Sequence, residues 1–220
     1  MLSLFERYDS IIVLDTETTG FDPRNDEIIE LGFVTLSADG RRWEEDCLIR
    51  LSPGRSLPRR ITELTGITPE MLSDRGIEKE AAAALLSEAL AAQRPLVAAY
   101  NAQFDLCFLY YFLRRQGRAE LLRRAQFLDV LSVYKDRRDY PHRLENAVEA
   151  YRARGVNSHR ACDDAGATLA VLAAMAEERD DLAAYINLFG YNPRYGPPRP
   201  RIGSVRYEPQ PYERRKLLYE

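Results

Sequence analysis

Three clusters of residues in this chain have the types and spacing to do chemistry. The first is Asp15-Thr16-Glu17, directly after the apolar run Ile11 to Leu14. Side chains two apart on a strand point to one side, so the two carboxylates converge. Carboxylates held together repel and raise one another's pKa unless a cation lies between them. Hard oxygen ligands at this spacing suit Mg²⁺ or Mn²⁺. Acids after a strand also serve as plain turn and cap residues, so this pair alone does not decide. The second cluster is Asn101-x-x-Phe104-Asp105. Asn101 reads as a helix N-cap, and Asp105 falls in the first turn, where the helix dipole favours an anion. The third is His159-Arg160-Ala161-Cys162-Asp163-Asp164. Asp164 heads the stripe Thr168, Val171, Leu172, Met175, and a carboxylate on a core-facing stripe is costly unless paired or bound to metal. Asp163 heads an alanine stripe, so helix geometry leaves both acids open. An isolated His159 would ordinarily be a surface loop residue.

These groups need elements to position them. Ile11 to Leu14 predicts a buried central strand. Ile28 to Leu36 and Trp43 to Leu51 predict two more, joined by the hairpin turn Ala38-Asp39-Gly40. Thr68-Pro69 marks a helix start, with Thr68 as N-cap. Ile77 to Gln93 is alanine- and leucine-rich and predicts a helix stopped by Pro95, before a short buried strand from Leu96 to Tyr100. Phe104, Phe108 and Phe112 put three rings on one face of a helix from Phe104 to Gln116, ended by Gly117. A last strand from Phe127 to Val130 and helices over 130–136, 144–153 and 160–178 complete the pattern. Strands precede helices, with one early hairpin, so the sheet should be mixed and covered by helices.

Composition narrows the function classes. The chain has 220 residues, 45% apolar and 30% charged, with a formal net charge of −3. That is ordinary for a soluble globular protein. It excludes binding of nucleic acid over the whole surface, so any such contact is local or runs through metal ions that neutralise carboxylates. The cysteines, Cys47, Cys107 and Cys162, have no C-x-x-C spacing; an odd number fits reduced thiols and a cytoplasmic location. No apolar run reaches bilayer-spanning length, so no membrane partner is expected. After Gly190 the character changes: six of the twelve prolines lie there, with seven Arg or Lys against three Glu. Residues 1–189 therefore read as one domain and 190–220 as an extended tail.

Taken together, Asp15-Thr-Glu17-Thr-Thr-Gly20, Asn101-x-x-Phe104-Asp105 and His159-x-x-x-x-Asp164 resemble the three motifs of the DEDDh exonucleases, in the same order and spacing. That family includes the proofreading epsilon subunit of bacterial DNA polymerase III. Ile61-Thr-Glu-Leu-Thr-Gly-Ile-Thr68 also resembles a segment of the family, and the resemblance covers roughly 9–178. It implies a ribonuclease H-like fold, α/β with a five-stranded mixed sheet flanked by helices. It implies that Asp15, Glu17, Asp105 and Asp164 bind two divalent metal ions, Mg²⁺ or Mn²⁺, and that His159 is the general base. The family spacing selects Asp164 over Asp163. The implied reaction is 3′→5′ hydrolysis of DNA to nucleoside 5′-monophosphates by a two-metal mechanism. Thr18, Leu64, Thr65, Asn101 and Phe104 are expected to line the pocket for the terminal nucleotides, with Leu64 and Phe104 against the bases. Plain core packing is the alternative for Phe104. The implied partners are DNA or RNA 3′ ends and a DNA polymerase subunit. An RNA-trimming exonuclease is the alternative enzyme, and a non-catalytic 3′-end or polymerase-binding module would require a missing metal acid, whereas all five positions are filled.

Overall fold

The computed structural model describes residues 1–154, 158–212 and 216–220. Its centre is a five-stranded sheet built from β1 (Ser10–Thr18), β2 (Ile28–Ser37), β3 (Arg42–Leu48), β4 (Pro95–Ala99) and β5 (Gln126–Asp129). The strand order is β3-β2-β1-β4-β5. β1 pairs antiparallel with β2 and parallel with β4, so it lies in the middle, as its unbroken Ile-Ile-Val-Leu run requires. The sheet is mixed and flanked by helices, which is the ribonuclease H-like arrangement.

Period-two alternation along β1 feeds two cores. Ile12 and Leu14 face one side, with α4 (Lys79–Ala89) and α5 (Ala102–Arg115), where Leu86, Leu106 and Phe112 pack. Ile11 and Val13 face the other, with α6 (Val130–Arg137), α7 (Leu144–Tyr151) and α8 (Ala161–Glu178), where Val133, Leu172 and Met175 pack. Complete burial of each such side chain is worth about 1.5–3 kcal/mol. A smaller cluster joins Ile29 and Leu48 to α2 (Arg59–Thr65) and α3 (Pro69–Arg75) through Ile61 and Leu72. A one-turn helix, α1 (Leu2–Phe5), precedes β1.

Several element boundaries differ from the sequence reading, each for a local reason. β3 ends at Leu48 because Ile49 leaves it to form an isolated bridge with Ile77, which also delays α4 to Lys79. α2 was not predicted; it is short, is bounded by Pro58 and is ended by Gly66 at φ 72°. α5 begins at Ala102, two residues early. Its first N–H is capped by Asp129, 27 residues away, while Asn101 adopts φ 68° and makes no side-chain cap. Thr68 does cap α3, accepting from Met71 N at 3.2 Å.

The segment after residue 187 lies on the domain. β6 (Leu188–Tyr191) pairs in parallel with β7 (Arg206–Pro209), and Asn187 N–H donates to Phe127 O at 2.7 Å, which ties the pair to β5. Val205 joins the core beside α5, Leu218 joins that beside α8, and buried Gln210 donates to Ser132 O and Asp136. Residues 213–215 of the expected tail lie outside the described residues. Among the described residues no helix is long and apolar enough to cross a membrane.

Candidate active site

The three sequence clusters meet at one end of the sheet, beside the last residues of its central strand. Asp15 and Glu17 sit at the end of β1, on the side facing α8. Asp105 comes from the first turn of α5, and Asp164 from the first turn of α8. His159 precedes α8 at φ 54° and is exposed. Glu17, His159 and Asp164 each offer one ligand atom, and these atoms lie within 4.8 Å of one another. Asp15 carries the charge influence of Asp105, Glu17 and Asp164 together, which joins the fourth and fifth groups to the same pocket. Asp163 turns away; it is exposed and accepts from Ser158 Oγ at 2.6 Å. Buried Asp164 accepts from Ser158 N at 3.0 Å.

The electrostatics record an unmet demand for cations. Burial, then the neighbouring acids Asp105, Glu17 and Asp164, hold the Asp15 carboxyl well above the usual range. Burial pushes Glu17 up to about 8, helped by the charges of Asp164 and Glu30. Asp105 rises to about 7 through burial, in spite of the 2.7 Å hydrogen bond it accepts from Thr16 Oγ1. Burial also raises Asp164. Four carboxyls in one pocket, with no Lys or Arg among the described residues in an ion pair with them, fit hard divalent cations: the donors are oxygens, with one imidazole nitrogen at the rim. Asp15, Glu17, Asp105 and Asp164 are the residues that would hold such ions.

Two residues that sequence reasoning missed hold this arrangement. Glu30, fully buried on β2, pairs with Glu17 across the antiparallel ladder. It accepts from Arg160 Nε and Nη2 at 2.8 and 2.5 Å with one oxygen, and from Ala161 N at 2.9 Å with the other. That clamp fixes the turn carrying His159 and the start of α8. Its signal was a single acid inside the apolar run Ile28-Ile29-Glu30-Leu31. Gly32, paired with Asp15, lets α8 come close: a Cβ there would stand 2.1 Å from Cys162 N. No local pattern in the sequence marks that glycine.

The residues expected to contact substrate divide. Thr18 donates its hydroxyl to Gly20 O at 2.6 Å, and Thr65 donates to Ile61 O at 2.9 Å, so both hydroxyls serve their own backbone. Asn101 is exposed beside β4. Phe104 is half-buried, tilted against Phe108 at 4.8 Å and edge-on to Phe21 at 6.4 Å. Phe21 is 78% exposed and Leu64 53% exposed. Arg60 reaches over the Phe21 ring at 5.9 Å, and Leu64, four residues on, shares its helix face. Phe21 and Phe104 thus form an aromatic pair at the start of α5, and exposed Leu64 lies one helical turn from the arginine that covers Phe21. Phe21 was absent from the sequence reading, although an exposed aromatic after Gly20 is its signal.

Fold and site together define a ribonuclease H-like nuclease with an acidic, cation-demanding pocket. The exonuclease family model matches residues 12–172, and the chain belongs to that family. The likeness to the DEDDh exonucleases drawn from the motifs holds. The chain is 36% identical over 173 residues to the PolC-type DNA polymerase III of Thermotoga petrophila, covering 76% of this chain and 12% of that protein. It is 27% identical over 164 residues to the DNA polymerase III epsilon subunit of Treponema pallidum, covering 73% of this chain and 74% of that protein. Among solved structures, E. coli exonuclease I in complex with a dT13 oligonucleotide superposes with a TM-score of 0.68 at 20% identity, covering 78% of this chain and 42% of that one.

Proposed function

We propose that this chain is a metal-dependent 3′→5′ exonuclease that removes nucleoside 5′-monophosphates from DNA 3′ ends. The observation that carries the proposal is the convergence of Asp15, Glu17, Asp105 and Asp164 with His159 at one end of the sheet, with no ion pair to the four acids among the described residues. In this reading the four acids hold two divalent ions, and His159 is the general base. Bound there, the ions would polarise the scissile phosphate and offset the charge that develops on attacking and leaving oxygens. The chain's own groups do the rest. His159, exposed at the rim, can take the proton from an attacking water and pass it to solvent. Its position is kept by the Glu30 clamp on the next residue. The Phe21–Phe104 ring pair and exposed Leu64 offer apolar faces on which terminal bases would stack without sequence readout. Exposed Asn101 is proposed to meet the terminal nucleotide, whereas Thr18 and Thr65 would contribute through their backbone.

The domain is proposed to end near residue 189, with 190–220 as its appended segment. Kinship to polymerase III sequences supports a DNA polymerase subunit as partner. The test is digestion of DNA and RNA oligonucleotides of one sequence, labelled at the 5′ end, with Mg²⁺, Mn²⁺ or a chelator. Stepwise shortening from the 3′ end, faster on DNA and stopped by the chelator, is expected. Internal cuts, or activity that survives the chelator, would overturn the proposal; faster digestion of RNA would reassign its substrate.

A further inference from the structure

The segment after Gly190 lies outside the residues that the family model matches, yet it packs on the first turns of α5. Gln103, two residues before Asp105, donates to Pro200 O at 2.8 Å, and its other end accepts from Tyr207 Oη at 2.6 Å. The appended segment is therefore pinned to the helix turn that presents Asp105. Two grooves flank that pin. One, of about 510 Å³, lies between Asn101, Lys135, Tyr195 and Arg199. The other, of about 790 Å³, lies between Phe21, Arg24 and the stretch Arg199–Arg201. Arg199 lines both, so the two grooves lie on either side of it, one lined by Asn101 and the other by Phe21.

The two grooves are locally basic on a chain whose net charge is −3. Their charged lining is Lys135, Arg24, Arg199 and Arg201 against Asp22 and Asp129, four cations and two carboxylates. Asp129 is spent on Ala102 N and Ser132 N, and Asp22 on Arg24 N and the Asn25 amide. Among the described residues neither Arg199 nor Arg201 has an ion-pair partner, and both are exposed. In the first groove Tyr195 is 77% exposed, with Arg194 over its ring at 5.7 Å. Unpaired Arg199 and Arg201, with the exposed rings of Tyr195 and Phe21 in the flanking grooves, match a polyanion that carries stackable bases.

Resting on the exonuclease reading above, we propose that residues 194–201 form a single-strand-binding wall that holds the nucleotides upstream of the 3′ end, with Arg199 and Arg201 on phosphates and Tyr195 stacked on a base. The whole chain is used for the test, with the double variant Arg199→Ala/Arg201→Ala and, separately, Tyr195→Ala. Binding of a labelled single strand of about twelve nucleotides is measured against salt with a chelator present to stop hydrolysis. Each phosphate contact contributes about 0.7 to the salt slope on single strands, so the double variant should lose about 1.4, and raising salt from ~50 to ~200 mM should weaken it about 7-fold less than the native chain. Tyr195→Ala should weaken binding at every salt and keep the slope. In Mg²⁺, the ratio of kcat/KM for the long strand to that for a dinucleotide should fall in both variants. A native chain that hydrolyses neither substrate overturns the exonuclease reading and this one with it. A native chain that hydrolyses both, with slope and ratio unchanged in the double variant, overturns the wall alone.

Discussion

Glu30 offers the sharpest test of how this site is held. Glu30→Gln keeps the shape of the side chain and removes its charge. One carboxylate now serves three donors: the Arg160 guanidinium twice, at 2.8 and 2.5 Å, and Ala161 N at 2.9 Å. Removing one partner of a buried ion pair costs about 3–5 kcal/mol, mostly through the charge left behind. Arg160 is 33% exposed in its side chain and has Asp46 at 3.8 Å as a fallback. A loss below that range, about 2–3 kcal/mol, is therefore expected, read from urea unfolding of the metal-free chain. The catalytic effect should be larger than that loss implies, because the clamp fixes the residue after His159 and the first turn that bears Asp164. A catalytic group displaced by ~1 Å can cost about 10²-fold, so kcat should fall by about 10–100-fold at a temperature where the variant is folded, with KM little changed. A third readout has the opposite sign. Glu30 helps to raise the carboxyls of Asp15 and Glu17, so removing its charge should let both ionise at lower pH. Native kcat in a destabilised variant would refute the positioning argument and leave Glu30 a purely structural residue.

Two further outcomes follow from the same geometry. His159→Ala should lower the rate by about 10²–10⁴-fold with a much smaller loss of metal affinity; loss of all metal binding on Mn²⁺ titration would make His159 a ligand and not the base. The raised carboxyls also predict a pH signature. Glu17 and Asp105 titrate in the folded chain at about 8 and about 7, above their ordinary 4.5 and 3.8. A raised acid contributes stability that is full below its ordinary pKa and lost as pH climbs through the folded value. The metal-free chain should therefore lose stability between about pH 5 and 8, while divalent ions, which displace those protons, stabilise it more at pH 8.5 than at 5.5. A metal-induced shift in Tm that is equal at the two pH values would contradict the assignment.

What the sequence determined by itself is the chemistry and the local scaffold. Acids two apart after an apolar run, a histidine five residues before an inward acid, the unbroken strand at Ile11 to Leu14 and the Thr68 cap are all written in neighbouring residues. Period, capping and composition act over a few positions, so they are legible without the fold. Tertiary structure decided which distant groups meet. Asp129, not Asn101, caps α5, because β5 ends beside it. Glu30 holds a turn 130 residues away, and Gly32 admits α8 only because that helix crosses β2 at that point. The Pro-rich segment, which has no period of its own, is ordered by contacts to Gln103, Ser132 and Asp136. Each of these is a partner choice between residues far apart in the chain, and such a choice leaves no local pattern; it exists only once the sheet and its helices have packed.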